Sequence, residues 1–132
     1  MSTIKVVCNK CFGQFPFSPK AWSFYNEKRI NAGLAPIDNI YFANRSDPLL
    51  IEVVDELGSD ANNEEAQLRI VEIPSEYKGC YTIHSISGYE DIICDPKDLI
   101  MERLRELDLT SDIDCRAILS YFVSILGDRK SY

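Results

Sequence analysis

Three times along the chain a small polar residue stands directly before a proline, at Ser18-Pro19, Asp47-Pro48 and Asp95-Pro96. A serine or aspartate in this position caps the first unpaired amides of a helix. Proline suits the first helical position because its missing N–H is not needed there. Each pair therefore predicts the start of a helix, and the segments between these starts must supply the strands.

The first two helices are bounded by glycine. The first should run from Pro19 to about Ala32 and stop at Gly33, because glycine readily adopts the left-handed conformation that ends a helix. The second should run from Pro48 to Gly58. Its buried stripe is predicted from the helical spacing of its apolar residues, which are Leu50, Val53, Val54 and Leu57.

A pair of helices is predicted after the last strand. The first of the pair begins at Pro96, and its correctly spaced apolar residues are Leu99, Ile100, Leu104 and Leu107. The second begins at Thr110 or Ser111, and one of its faces holds Ile118, Tyr121, Phe122 and Ile125. We expect a single domain, 1–132, in which residues 1–94 form the core and residues 95–132 form an added helical pair.

Strands are predicted where β-branched residues gather. The first covers Ile4–Cys8, a short one lies in the sequence IYFA, and another ends at Pro74. The run GCYTIHSISGYEDIIC reads as two strands joined by a tight turn at Ser87-Gly88. The resulting order is β-α-β-α-β-β-β-α-α. This order predicts an α+β domain with a small antiparallel or mixed sheet and helices packed on it.

The charge of the chain indicates which kinds of molecule it can bind. The chain has 14 basic and 21 acidic residues, a net charge of −7 and no cluster of lysine and arginine. Nucleic-acid binding depends on a basic face that displaces counterions, so this composition argues against it and favours a protein partner or a small ligand. No apolar run reaches the roughly 18 residues of a membrane span, and no signal-peptide run is present. We therefore expect a soluble protein of the cytoplasm.

The sequence CNKCFG, which contains Cys8 and Cys11, resembles half of a zinc site. A structural zinc needs four ligands, and the candidates for the others are Cys80, His84 and Cys94. If they share one strand, Cys80 and His84 lie about 13 Å apart and cannot both reach one ion. We favour two thiols at a bend between strand and helix, one inward and one outward, with no metal or cofactor. Five cysteines without a secretory signal also argue against disulfides.

A second interpretation of the thiols is catalytic. Thiol catalysis needs a nearby base, and His84 is the only histidine, so Cys80 or Cys94 would have to act with it. No serine-hydrolase, P-loop or dinucleotide-binding motif is present. We expect a protein that is not an enzyme, with a small Cys/His enzyme as an alternative. Two pairs of neighbouring acidic residues are expected to be solvated, Asp55-Glu56 and Glu90-Asp91.

The segment from Val6 to Ala21 holds a strand, a glycine-containing turn and a capped helix start. Amides at such a start suit a phosphate or carboxylate, unless Ser18 occupies them itself. The same geometry recurs where Arg45 precedes Asp47, and the arginine would supply a cation. Six aromatic rings lie within fourteen residues, more than one small turn can hide, so some could stack on a ligand. The predicted ligand site comprises Cys11, Phe12, Gly13, Phe15, Ser18, Lys20, Trp22 and Arg45.

Three stretches stand out together: KVVCNKCFGQFPFSPKAW, NRSDPLLIEVVDELGSDANNEEAQLRIVEIP and YTIHSISGYEDI. In combination they resemble a group of small uncharacterised proteins of tailed phages and large DNA viruses. That group has an opening strand ending in Cys-aromatic-Gly-Gly, an Arg-x-Asp-Pro helix, an Ile-Val-Glu-Ile-Pro strand and a hairpin with a glycine turn. The resemblance covers residues 4–93.

The chain departs from this pattern in its opening turn and at its end. The glycine pair of the turn is Gly13-Gln14 here, which weakens a close approach of the backbone to a phosphate. Residues 95–132 are an addition, and the position of Cys8 is not usually a cysteine in the group, which counts against zinc. The resemblance implies a viral origin. It carries no established activity, so no catalytic residue is transferred.

We expect a non-enzymatic viral accessory protein that acts by binding in the host cytoplasm. Its target would be a small nucleotide-like defence signal, which it sequesters, or a host protein, which it occludes. Alternatively, the chain is a structural subunit that assembles through its last helix, from about Asp112 to Leu126. Assembly of that kind would join it to a viral protein or to further copies of itself as a homo-oligomer.

Overall fold

The structure is a computed structural model that describes residues 2–12, 16–40, 43–106 and 129–132. Its helices and strands, in chain order, are β1 (Thr3–Asn9), α1 (Pro19–Asn31), α2 (Pro48–Leu57), β2 (Leu68–Pro74), β3 (Thr82–Ile86), β4 (Tyr89–Cys94), α3 (Pro96–Glu106) and β5 (Lys130–Ser131). Short 3-10 turns follow α2, at Gly58–Ala61, and β2, at Ser75–Tyr77. None of the helices within these described ranges is long and apolar enough to cross a membrane.

The strands form two small antiparallel sheets, and the predicted α+β class is confirmed. β1 pairs with β2 in one sheet. β3, β4 and β5 form the other sheet in that order. The sequence predicted one sheet, whereas the structure divides the strands between two that lie next to each other. The short strand β5 was not predicted.

The prediction of a short strand in IYFA, residues 40–43, is wrong at the two of these residues that the structure describes. Ile40 and Ala43 belong to no strand, because the Ala43 N–H donates to the Ile40 carbonyl at 2.9 Å and closes a turn. Tyr41 and Phe42 lie outside the described residues. The fourth predicted helix, with the docking surface assigned to it, also lies outside them.

The three helix starts predicted at Ser18-Pro19, Asp47-Pro48 and Asp95-Pro96 are confirmed. In each, a side-chain oxygen accepts a hydrogen bond from a helix amide: Ser18 from Ala21 at 3.1 Å, Asp47 from Leu49 at 3.0 Å and Asp95 from Lys97 at 3.0 Å. The predicted ends hold as well, since α1 stops before Gly33 and α2 before Gly58, both with positive φ. The predicted stripe of α2 is buried at Leu50, Val53 and Val54.

The turn between β3 and β4 is the predicted two-residue turn. Ser87 has a φ of 50° and Gly88 a φ of 90°, so both central residues are left-handed. This conformation matches the twist of an antiparallel pair and lets Ile86 face Tyr89 directly.

β1 lies between two hydrophobic clusters, one on each face. The helix-side cluster has the buried members Val7, Phe17, Ala21, Tyr25, Ile40, Leu50, Val53, Val54, Ala61 and Leu68. The hairpin-side cluster has the buried members Val6, Cys8, Ile73, Ile92 and Cys94. Because successive side chains of a strand point to opposite faces, the neighbours Val6 and Val7 fall in different clusters. The β1–β2 ribbon is therefore a middle layer between the helices and the β3–β4 hairpin.

The last residue of β1, Asn9, is buried and fully hydrogen-bonded. Its side-chain amide donates to the carbonyls of Cys11 and Gly88, at 2.8 and 2.7 Å. Its side-chain oxygen accepts from the Gln67 amide at 2.9 Å, and its backbone N–H donates to the Glu90 carboxylate at 2.8 Å. A buried carboxamide destabilises a fold unless it is paired in this way. These bonds tie the end of β1 to both of its neighbours.

Candidate functional site

A cleft of about 350 Å³ opens beside the start of α1. Its described lining residues are Pro16, Phe17, Pro19, Trp22, Asn39, Ile40 and Asn63. Three separate segments make its walls, namely the entry to α1, the loop after α1 and the turn after α2. Clefts of this size that are mostly apolar with a few polar groups are the usual form of small-ligand sites.

The entry to α1 is held by the turn that follows α2. The Asn63 N–H donates to the Pro16 carbonyl at 3.0 Å. The Ser18 N–H donates to the Ala61 carbonyl at 2.9 Å, and the Ser18 hydroxyl donates to the Asp60 carbonyl at 2.6 Å. These contacts fix one wall of the cleft against a segment more than forty residues further along the chain.

The opposite wall is the loop that follows α1. Asn26 clamps this loop, because its side-chain amide donates to the Ile37 carbonyl at 3.1 Å and its oxygen accepts from the Ile37 N–H at 2.9 Å. The indole N–H of Trp22 donates to the same carbonyl at 3.3 Å. Since its one donor is already bonded to the protein, Trp22 can offer a ligand only its ring.

The cleft combines aromatic surface with carboxamides. Phe17 and Trp22 supply the rings, while Asn39 and Asn63 carry groups that both donate and accept hydrogen bonds. None of the described lining residues is charged. This set suits a flat, uncharged ring with a polar edge, such as a nucleobase, and does not by itself hold a phosphate.

The start of α1, predicted as an anion site, is largely occupied by the protein. The Ser18 N–H is bonded to a carbonyl, Pro19 has no N–H, and the Ala21 N–H donates to the Ser18 hydroxyl. The alternative that Ser18 caps its own helix is thus confirmed. The Lys20 ammonium lies 3.5 Å from the Asp60 carboxylate, with both side chains about two-thirds exposed. Such an exposed pair is weak, so Lys20 can turn to another anion.

Cys11 and Phe12 lie towards the hairpin. Phe12 is 61% exposed, and its ring centroid is 5.7 Å from that of Tyr89 on β4. Neither Cys11 nor Phe12 lines the cleft, so the structure separates them from Trp22. Gly13 and Phe15, predicted in the same site, lie outside the described residues.

Arg45 is buried, and the anion that it binds belongs to the protein. Its guanidinium makes two hydrogen bonds with the Glu90 carboxylate, at 2.7 and 2.9 Å, and lies 5.1 Å from the centroid of the Phe17 ring. The expectation that Glu90 is solvated is wrong, because a buried guanidinium needs a counter-charge beside it. An anionic ligand at Arg45 would have to displace this bidentate partner.

The buried thiols are placed for packing. The Cys8 thiol donates to the Glu90 carbonyl at 3.1 Å, and burial raises its pKa to about 11. Burial, followed by the charge of Cys80, also raises the pKa of Cys94 to about 11. Both thiols therefore stay protonated near neutral pH, and a protonated thiol is a poor nucleophile and a poor metal ligand.

His84 does not meet the Cys94 thiol. It is exposed on β3 opposite Asp91 of β4, and Cys94 lies three residues further along β4. The two side chains are thus on opposite faces and about 10 Å apart along the strand. Cys80 precedes β3 in a turn, so a spacing measured along a strand does not apply to it. In the part of the chain that the structure describes, no group of three His, Cys, Asp or Glu residues could hold a metal ion.

Most of the cleft was not predicted. Of the proposed ligand residues, Trp22 lines it, while Ser18 and Lys20 do not and are the chain neighbours of its lining residue Pro19. Asn39 and Asn63 were missed because only the folded chain brings the loop after α1 and the turn after α2 together. The one signal in the sequence is the polar run SDANN, whose composition is typical of a loop and does not by itself indicate a site.

Comparison of the chain with protein-family models, with curated proteins and with solved structures found no match. The resemblance to the viral group therefore stays a prediction. No relative supplies a ligand or a residue role, and a function has to be inferred from the contacts, burial and charges of the chain itself.

Proposed function

We propose that the protein is a non-enzymatic binding protein that captures a small nucleotide-like molecule by its base. The base would lie in the cleft beside α1, against the rings of Phe17 and Trp22, with its polar edge towards Asn39 and Asn63. The observation that supports this proposal is the lining of the 350 Å³ cleft, which is aromatic and carboxamide-bearing without a charge among its described residues.

The dimensions and chemistry of the cleft favour a base over a larger ligand. Small-ligand sites span roughly 300–1,000 Å³, and this cleft lies at the lower end of that range. Stacking on an aromatic ring contributes roughly 1–3 kcal/mol per base with little dependence on which base it is. The carboxamides of Asn39 and Asn63 would add selectivity by hydrogen bonds, and Lys20 at the exposed start of α1 would meet the phosphate.

Capture without turnover is consistent with the placement of the reactive groups. The buried Cys8 and Cys94 thiols are protonated, and His84 lies on the opposite face of the hairpin from Cys94. Sequestration depends on affinity and on the amount of protein, and it needs no catalytic group. In the viral setting that the resemblance implies, the captured molecule would be a host signal. Occlusion of a host protein and assembly through the last helix remain alternative predictions.

The single tryptophan provides a direct test. The chain has one tryptophan, so the emission of Trp22 reports on the cleft alone. Adenosine, guanosine, cytidine, uridine and their 5′-monophosphates would be titrated against the full chain. We expect at least one base to quench the emission and to saturate at one ligand per chain. The ligand released by heating should be chemically unchanged, and a hydrolysed or modified product would contradict capture without turnover.

A matched pair of asparagine variants sharpens the test. Asn63→Ala removes a carboxamide from the cleft and should weaken binding roughly fivefold to tenfold, as expected for one hydrogen bond. Asn31→Ala removes a carboxamide from the exposed end of α1 and should bind like the wild type. The proposal is wrong if no base quenches Trp22, or if both variants bind with equal affinity.

A further inference from the structure

The outer edge of β1 is only partly paired. In an antiparallel pair, alternate residues point their N–H and C=O groups towards the partner strand. The Val7 N–H instead donates to the Arg45 carbonyl at 2.8 Å, and the Val7 carbonyl accepts from the Arg45 guanidinium at 3.4 Å. Val7 therefore points its backbone groups away from β2, and so must Lys5 and Thr3.

Two contacts between the β1 segment and the β2 segment support the same alternation in the direction of the backbone groups. Thr3 lies opposite Pro74, which has no N–H with which to close a bonded pair. The Lys10 N–H, one residue beyond β1, donates to the Gln67 carbonyl at 2.8 Å. Even-numbered residues of this strand thus bond to β2, and odd-numbered residues point their backbone groups to the outer edge.

The outer edge is open at its first half. At Val7 both edge groups are bonded within the protein, and at Asn9 the N–H is. Those of Thr3 and Lys5 make no hydrogen bond to any residue that the structure describes. A groove of about 820 Å³ runs along this open half, bounded by β1, by the start of α2 and by Lys78. An unpaired strand edge beside a groove is the surface that accepts an added strand.

The lysines of this groove are more available than its carboxylates. The Asp47 carboxylate is engaged in capping α2, and the Glu52 carboxylate lies 3.3 Å from the Lys28 ammonium. Lys5 and Lys78, in contrast, make no ion pair with any described residue. Although the chain carries a net charge of −7, this groove presents two uncompensated lysines beside an open strand edge.

We propose that the groove binds an extended acidic segment of a partner protein, which adds as a strand to the outer edge of β1. Its backbone would pair with Thr3 and Lys5, and its carboxylates would meet the ammonium groups of Lys5 and Lys78. A second copy of the chain fits less well, because symmetric pairing of two β1 edges would bring like-charged lysines together. A lysine on an edge can also serve to prevent pairing, so the test must distinguish these two roles.

The probe is a blocked hexapeptide of alternating valine and glutamate, added to the full chain and followed by amide hydrogen exchange. The peptide should slow exchange of the Thr3 and Lys5 amides by at least about tenfold. The Ile4 and Val6 amides, which already bond to β2, should not change. The same peptide with an N-methyl group on every residue keeps its charge but has no N–H with which to pair as a strand, so it should give no protection. A peptide with lysine in place of glutamate should also fail.

A pair of charge reversals tests the role of the groove. Lys78→Glu should weaken binding of the acidic peptide roughly tenfold, whereas Lys97→Glu makes the same change at an exposed position of α3 and should have no effect. Equal protection by the methylated or lysine peptide, or no protection at all, would overturn the proposal and leave Lys5 as a protective charge only. Protection of the same amides without peptide, together with a dimer mass by light scattering, would assign the edge to a second copy.

Discussion

The two faces of β1 are built in different ways. The helix-side cluster gathers α1, α2 and β2 around Val7, and the side chains of Ser18 and Asp47 satisfy the helix starts at its rim. Among the described residues the hairpin-side cluster has five buried members, and buried polar groups lie beside it. There the Cys8 thiol donates a hydrogen bond to the backbone carbonyl of Glu90. The side-chain carboxylate of Glu90 in turn accepts from the Arg45 guanidinium.

The difference follows from the separation of the partners along the chain. Helix caps form within three residues, whereas Cys8 and Glu90 are 82 residues apart and Arg45 and Glu90 are 45 apart. The larger cluster is stabilised by the apolar area that its helices bury. The smaller one depends on specific polar contacts that only the complete fold brings together. The Arg45–Glu90 pair contacts both clusters, since the Arg45 guanidinium lies over the ring of Phe17 and the Glu90 carbonyl accepts from the Cys8 thiol.

Breaking the Arg45–Glu90 pair should cause the largest loss of stability. Glu90→Gln removes the counter-charge of a guanidinium that is almost completely buried. Removing one partner of a buried pair costs about 3–5 kcal/mol, because the other charge stays buried without compensation. We expect the free energy of unfolding in urea to fall by this amount, and both clusters to unfold in one transition.

Asp91→Asn is the matched control for this variant. It changes the neighbouring carboxylate, whose pair with Lys10 is partly exposed, with side chains 21% and 40% accessible. Its cost should therefore be about 1 kcal/mol or less. Equal losses in the two variants would show that the Arg45–Glu90 pair does not join the two clusters.

The hairpin-side cluster should be the more sensitive to alkali. The pKa of Cys8 is raised from 9.0 to about 11 by burial, so folding favours the neutral thiol. This stabilisation is complete below pH 9 and is lost as the pH rises through about 11. The loss is at most about 3 kcal/mol, because each unit between the two pKa values is worth about 1.4 kcal/mol. It can be measured as the free energy of unfolding in urea between about pH 8 and pH 11.

Two cysteine variants isolate this effect. Cys8→Ala should be less stable than the wild type at every pH, but its stability should fall less steeply through the alkaline range. Cys11→Ala changes a thiol outside both clusters and should follow the wild-type profile. A profile for Cys8→Ala as steep as that of the wild type would remove the buried thiol as its cause.

The smallest loss of stability is expected from a substitution on the helix side of β1. Asp47→Ala removes the cap of α2 and the acceptor of the Tyr25 hydroxyl, which lies 2.5 Å from the carboxylate. The expected cost is about 1–2 kcal/mol, from the lost cap and the lost hydrogen bond of the Tyr25 hydroxyl. Amide exchange should accelerate in the first turn of α2 and stay unchanged in β4. Asp38→Ala, in the exposed loop after α1, is the control, and equal acceleration in β4 would show that the two sides do not respond separately.

The predictions from sequence were correct where the determining contacts are local. Ser18 and Asp47 lie within three residues of the amides that they cap, and both helices begin where the sequence predicts. The turn at Ser87-Gly88 pairs its flanking strands by its own conformation, so the hairpin could also be predicted. These elements define the α+β class without any knowledge of what packs against them.

The candidate sites could be predicted only in part, because they depend on distant pairings. Arg45 was predicted to supply a cation to an anionic ligand, and nothing in the sequence indicates that Glu90 reaches its guanidinium. Asn63 enters the cleft because its N–H bonds to the Pro16 carbonyl, a contact that no periodicity encodes. The open edge at Lys5 follows from the pairing of β1 with β2 and is visible only once that register is known.

The buried asparagine at the end of β1 has a consequence for the alignment of the ribbon. From Val6 to Asn9 every residue is fully buried, so neither face of this stretch is exposed to solvent. In most strands a slip by one residue would push apolar side chains into water, and that penalty fixes the pairing. Here a slip by one residue would put one valine in the place of the other. It would also take Asn9 from its partners and leave a carboxamide unpaired in the interior, so this side chain helps to keep the strand from sliding.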